Sequence, residues 1–164
     1  MSIPNYNIGL QQNKIQIIMD DNKVNLGEIG EKIVANYMNR QGRIVEQSLD
    51  PFDSQKDMKI DGKSLEVKTQ VPFVTKNCFT LEKNQLKKCQ NVDYLVFVQA
   101  PCEYWNEAAL YQVDPKAFKF RKHTMKDKEE RYIIPINQPA VNKLCPIEGH
   151  YKKELRRYAT NYNG

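Results

Sequence analysis

With 164 residues, 40% of them hydrophobic and 27% charged, the chain has the composition of one globular domain and not of a disordered segment. Lys plus Arg number 25 against 20 Asp plus Glu, a net charge of +5 that permits an anionic partner such as nucleic acid without requiring one. No apolar run reaches the length of a membrane span, and the Met-Ser-Ile-Pro-Asn start lacks the basic and apolar parts of a signal peptide, so a soluble intracellular, cytoplasmic protein without a membrane partner is expected.

The four cysteines, Cys78, Cys89, Cys102 and Cys145, form no CxxC pair. They read as buried or idle thiols; Cys145 and His150 have no second ligand pair at zinc-finger spacing.

In chain order, residues 1–24 read as a polar N-terminal arm with one apolar stretch at Ile15, Ile17, Ile18 and Met19. Asn25 to about Gln41 is predicted as a helix, because Leu26, Ile29, Ile33, Val34, Tyr37 and Met38 recur at helical spacing. Asn25 suits its N-cap and Gly42 its stop. Gly27 and Gly30 weaken the first turns, for which close approach to another backbone would be one reason. Arg43–Ser48 reads as a first strand, and Asp57–Ile60 with Lys63–Val71 as a hairpin about the Asp61-Gly62 turn. Thr80–Gln90 is predicted as a second helix with Thr80 as N-cap and Leu81, Gln85, Leu86 and Cys89 on its inner face. Asp93–Gln99 is an apolar strand of the buried kind and Ala109–Val113 another. Asp114-Pro115 reads as an N-cap followed by a favoured first helical residue. A basic loop, a strand near Tyr132–Ile136 and a short basic helix near Tyr151–Tyr158 follow. The fold class is therefore mixed α/β, as one domain with an arm (1–24), a core (25–114) and a basic extension packed on it (115–164).

The hairpin carries the chemistry. If Asp61 and Gly62 form the turn, Ile60 faces Lys63 and Asp57 faces Glu66, with Cβ atoms about 5 Å apart. Alternation then puts Ser64, Glu66, Lys68 and Gln70 on one face, and Met58, Ile60, Leu65, Val67 and Val71 on the core face. Two opposed carboxylates need a cation, a shared proton or a neighbouring lysine. Two carboxylates, water and a phosphate oxygen are the usual surroundings of Mg²⁺, and Lys68 could orient a water or neutralise charge on a phosphoryl group. A solvated ion-pair cluster is the plainer alternative.

Asp57-x8-Glu66-x-Lys68, preceded by a helical glutamate, resembles the PD-(D/E)xK nuclease superfamily. The element order is similar to that superfamily's αβββαβ core, with a mixed central sheet flanked by helices, over roughly residues 25–100. Within it, Glu31, Gly42 eleven residues on, Lys56-Asp57-Met58 and Leu65-Glu66-Val67-Lys68 look most like archaeal-type Holliday-junction resolvases. That spacing favours Glu31 over Glu28. Lys56 stands where the motif's proline would be.

The resemblance implies that Asp57, Glu66 and the Val67 carbonyl ligate Mg²⁺ (Mn²⁺ substituting), that Lys68 positions the attacking water, and that Glu31 holds a water or second metal. Gln70 is similar to polar groups that follow the lysine in several members. Cleavage would leave a 5′-phosphate and a 3′-hydroxyl. Lys83, Lys87 and Lys88 on the second helix, and Lys119, Arg121 and Lys122 in the basic stretch, are candidate contacts to double-stranded DNA. Lys76 and Asn77 are similarly placed, and His123 reads as a surface residue. The basic, aromatic last third favours a homing- or restriction-type site-specific enzyme over a minimal resolvase. The size and Asn/Gln/Lys-rich style fit a phage or mobile-element protein. A homodimer or higher homo-oligomer would serve to cut two strands. A non-catalytic nucleic-acid-binding protein, a structural protein with a solvated hairpin, and an RNA substrate remain as alternatives.

Overall fold

The structure is a computed structural model and describes residues 25–47, 58–71, 78–102 and 106–163. The N-terminal arm, Asp57, Lys76 and Asn77 lie outside these residues. Among the described residues no helix is long and apolar enough to cross a membrane.

The first helix, α1 (Leu26–Arg40), starts where its cap chemistry says it should: the Asn25 side chain accepts the Glu28 N–H at 2.9 Å. It ends at Gln41, followed by Gly42 at φ +80°, a conformation that glycine adopts without a Cβ clash. Its apolar stripe is buried, and Tyr37 packs against the same core. Strands β1 (Val45–Gln47), β2 (Met58–Ile60) and β3 (Lys63–Gln70) follow. Asp61 (φ 51°) and Gly62 (φ 80°) both take positive φ, as a tight hairpin turn of the primed type requires. The turn is held from outside, because Asp61 accepts the Ile44 N–H and pairs with Arg43, which also lies over the Tyr94 ring.

A short strand β4 (Cys78–Leu81), helix α2 (Lys83–Gln90) and strands β5 (Tyr94–Gln99) and β6 (Ala109–Val113) come next. The last third supplies β7 (Arg121–Thr124), β8 (Glu130–Pro135), β9 (Val141–Pro146) and α3 (Gly149–Asn163). Six strands form one mixed sheet in the order β1-β2-β3-β5-β6-β9, and β4-β8-β7 form a small antiparallel sheet. β3 and β5 are the parallel pair. Such a pair needs a crossover, and α2 lies within it.

The two faces of the large sheet hold separate cores. On one, α1 and α3 cover Met58, Ile60, Leu65, Val96, Val98 and Leu110, with Val67 and Val71 partly buried beside them. The core-facing set expected of the hairpin is thus the one observed. On the other face, α2 and the small sheet cover Leu95, Phe97, Ala109, Tyr111 and Val113. Phe79 of β4 stacks on Phe97 of β5 with ring centroids 4.2 Å apart. Each such fully buried side chain contributes about 1.5–3 kcal/mol, so β4 is anchored as firmly as a strand of the main sheet.

Four readings of the sequence are corrected here. Thr80 is a strand residue, paired with Ile133, and not a helix cap; α2 begins at Lys83 behind Glu82, whose N–H is accepted by Gln85. The aromatic and β-branched run Phe79-Thr80 suits a strand buried under β5 better than a helical turn. Asp114-Pro115 opens a single turn only. Its carbonyl accepts the N–H groups of Ala117 and Phe118, but Phe118 then turns into the core and Gln138 pins both the N–H and the C=O of Lys119. The basic stretch after it contains β7 and not a loop alone. The segment Val141–Pro146, unassigned in the sequence reading, forms the outer strand next to β6, across a bulge at Leu110/Tyr111. The last third therefore completes both faces of the fold.

Candidate active site

β3 presents Glu66, Lys68 and Gln70 to the face that α2 and the small sheet cover, because Leu65, Val67 and Val71 take the opposite face. The start of the strand is pinned. Asp93 Oδ2 accepts both the backbone N–H and the hydroxyl of Ser64, at 3.1 Å each, and the Asp93 N–H donates back to Ser64 Oγ at 2.9 Å. This lock fixes the β3–β5 register that sets Glu66 beside Leu95 and Lys68 beside Phe97.

At the centre, Lys68 Nζ lies 3.1 Å from Glu66 Oε2, and Lys88 Nζ of α2 lies 3.3 Å from Glu66 Oε1. The three side chains are only 17%, 13% and 31% exposed for Lys68, Glu66 and Lys88. A carboxylate so far removed from water needs compensating cations, and here two ammonium groups flank it. The wall beside them is Cys89, whose thiol burial pushes up to about 12; it is a neutral, non-nucleophilic side chain at physiological pH.

Gln70, at the far end of β3, has a different role from the one its position suggests. Its amide donates to the Thr80 carbonyl at 2.5 Å and accepts the Thr80 N–H at 2.9 Å. It thereby mimics a strand partner and ties β4, and so the small sheet, to β3. That occupies both ends of the amide.

Glu31 lies on α1, the helix packed on the opposite face, and its Oε1 accepts from Gln47 Nε2 at 3.2 Å. Gln47 pairs with Met58 in the ladder, so this contact sits at the same end of the sheet as the residue adjoining Asp57 in sequence. The observed register, Met58 opposite Leu65 and Ile60 opposite Lys63, is the one from which the opposition of Asp57 and Glu66 is expected; Asp57 itself lies outside the described residues. Val67 is half-buried against the α1 core and pairs with Val96. Lys83 and Lys87 are exposed on α2, while Lys119, Arg121 and Lys122 are exposed on and beside β7.

The ion pair of Lys88 with Glu66 and the contact of Gln47 with Glu31 were not anticipated. A signal existed for the first: Gln85, Leu86 and Cys89 face inward, so Lys88 stands at the border of that stripe, within reach of the sheet. The basic residues of α3 are on the other side of the molecule, since Leu155 and Ala159 bury against the α1 core.

The oxygen donors present suit a hard divalent cation. Glu66 offers carboxylate oxygens, each already on an ammonium group, so a cation there has to displace a lysine from one of them. Among the described residues no three His, Cys, Asp or Glu gather, and an ion that keeps most of its waters needs only one or two carboxylates. Comparisons with family models, with curated proteins and with solved structures gave no match.

Proposed function

We propose that the chain is a Mg²⁺-dependent endonuclease of the PD-(D/E)xK type that hydrolyses phosphodiester bonds of double-stranded DNA, leaving a 5′-phosphate. The observation that carries the reading is the largely buried Glu66 between Lys68 and Lys88, on the third strand of a run of one helix, four strands, a helix and a strand. The sheet order supports it: β1, β2 and β3 pair antiparallel and β3 and β5 parallel, with β4 diverted to a second sheet.

In this reading Asp57, Glu66 and the Val67 carbonyl would hold the metal, and Glu31, oriented by Gln47, would hold a water. When bound, Mg²⁺ would supply a polarised phosphoryl oxygen and a water of lowered pKa. Lys68 stays on Glu66 Oε2 and directs its remaining N–H groups to the attacking water. Lys88, on Glu66 Oε1 without DNA, would turn to a phosphate oxygen of the DNA. Two strands to be cut call for two copies of the chain.

The test is metal binding without DNA. Millimolar Mg²⁺ or Mn²⁺ is expected to raise the thermal midpoint of the wild-type protein by a few degrees, by mass action on the folded state. Glu66→Gln should abolish that rise. Lys88→Ala, which removes the competing ammonium, should strengthen it. A wild-type midpoint indifferent to either metal contradicts the reading.

A further inference from the structure

The β7–β8 hairpin is built unlike the rest of the small sheet. β7 is the outer strand, and all four of its residues, Arg121 to Thr124, are exposed. β8 pairs with β4 through residues 132–135 but with β7 through 130–133. The pairs His123–Arg131 and Thr124–Glu130 therefore lie past the end of β4, where the hairpin is a two-stranded ribbon. Its tip is tightly closed: the Met125 N–H donates to Glu129 O at 2.7 Å and the Lys128 N–H to Met125 O at 2.9 Å, with Lys128 at φ 70°. The cross-strand pair Lys122–Glu130 braces it, and Arg131 pairs with Glu129 along the β8 side, each at 3.0 Å. Arg121, Lys126 and Lys128 are exposed around these pairs.

The ribbon also exposes apolar surface. Of the three large hydrophobic residues exposed among those described, Phe120 and Met125 are on this hairpin or next to it, and Met125 borders an open hollow of about 540 Å³ lined by His123, Thr124, Lys126 and Asp127. An apolar group flanked by cations is a poor solvent face and a good contact for base edges and thymine methyl groups. Two strands about 4.8 Å apart with their side chains fit the DNA major groove, about 12 Å wide.

The ribbon adjoins the Glu66 cluster through α2. Lys83 is near enough to Glu130 to help Lys122 and Tyr132 hold its carboxyl below the usual range. From Lys83, α2 runs past Lys87 to Lys88, which contacts Glu66. The stretch from Lys83 to Lys88 covers about 7.5 Å, or about two base-pair steps at ~3.4 Å each along one strand.

We propose that the β7–β8 ribbon is a major-groove reading element, with Lys83 and Lys87 on the phosphates between it and the cleavage site. This rests on the nuclease reading and deepens it, since it makes the substrate a regular duplex with a preferred sequence and not a four-way junction.

The experiment selects bound molecules from a pool of randomised 30-base-pair duplexes with the full chain in Ca²⁺, and compares affinities for a selected duplex, an unselected duplex and a four-way junction. The wild type is expected to enrich a motif and to bind it at least tenfold tighter than either comparison DNA. Arg121→Ala/Lys126→Ala/Lys128→Ala should lose most of that preference while retaining its thermal midpoint. Lys126→Glu, a single change at an exposed turn, provides the same readout if the triple variant folds poorly. Enrichment of the same motif with equal preference by either folded variant overturns the ribbon's role and leaves the nuclease reading standing. Duplex binding without a motif, or preference for the junction, overturns it likewise. Failure of the wild type to bind any DNA overturns both.

Discussion

Lys68→Ala is expected to slow phosphodiester cleavage by about 10²–10³-fold, the loss typical when one positioned charged donor is removed from a reacting group. The fold should survive. Lys68 is not part of either apolar core, and Lys88 remains within 3.3 Å of Glu66 to compensate its charge. Stability should fall by no more than about 1 kcal/mol. Glu66→Gln differs in a diagnostic way, because it leaves two part-buried ammonium groups facing a neutral amide. It should abolish cleavage and also destabilise by about 1–3 kcal/mol, somewhat below the cost of breaking a fully buried pair. Initial nicking rates measured beside thermal unfolding separate the two effects. Lys68→Ala cleaving at the wild-type rate would remove Lys68 from the chemistry.

Gly30→Ala is expected to lower the thermal midpoint by roughly 4–12 °C, equivalent to about 2–3 kcal/mol for a chain of this size. In an open helix the same change would stabilise by up to about 1 kcal/mol. The sign reverses because a Cβ on Gly30 would fall 1.7 Å from Thr69 Oγ1 and 2.8 Å from Thr69 Cβ. Thr69 belongs to β3, between Lys68 and Gln70, so relief of the clash must shift the strand that carries the candidate site. Thr69→Ala removes the hydroxyl, a buried group without a hydrogen-bond partner among the described residues, but keeps the Cβ at 2.8 Å. The double variant should therefore recover only part of the loss. Gly27→Ala is the control, since its Cβ would meet only Asn25 Oδ1, at 3.2 Å. Thermal unfolding of the four proteins checks the account. A Gly30→Ala midpoint equal to the wild type would show that α1 does not rest on β3 through this glycine.

What could be read from residues alone follows local chemistry. The stripe and caps of α1, the Asp61-Gly62 hairpin with its register, and the buried β5 strand were legible because short-range patterns determine them. Gly30 was legible as a point of close approach, although what approaches is the Thr69 side chain and not backbone, and the same reading does not hold at Gly27, which meets only Asn25. β8 was legible as the strand near Tyr132–Ile136, but β4, β7 and β9 were not, because distant pairing makes them: β4 owes its strand form to Ile133 and to the Gln70 clamp. For the same reason the Gln70 clamp on Thr80 could not be foreseen. The shared face of Glu66 and Lys68 was legible from strand alternation. Lys88 joined them only once α2 was seen to cross over β3.

The measurement that tests the central claim most directly is incubation of the purified wild-type protein with supercoiled plasmid and with a four-way junction, each in Mg²⁺ and in EDTA. The account predicts nicked or linear plasmid in Mg²⁺, none in EDTA, and ends that carry a 5′-phosphate. Survival of both DNAs in Mg²⁺, by protein whose folding is verified, would contradict it.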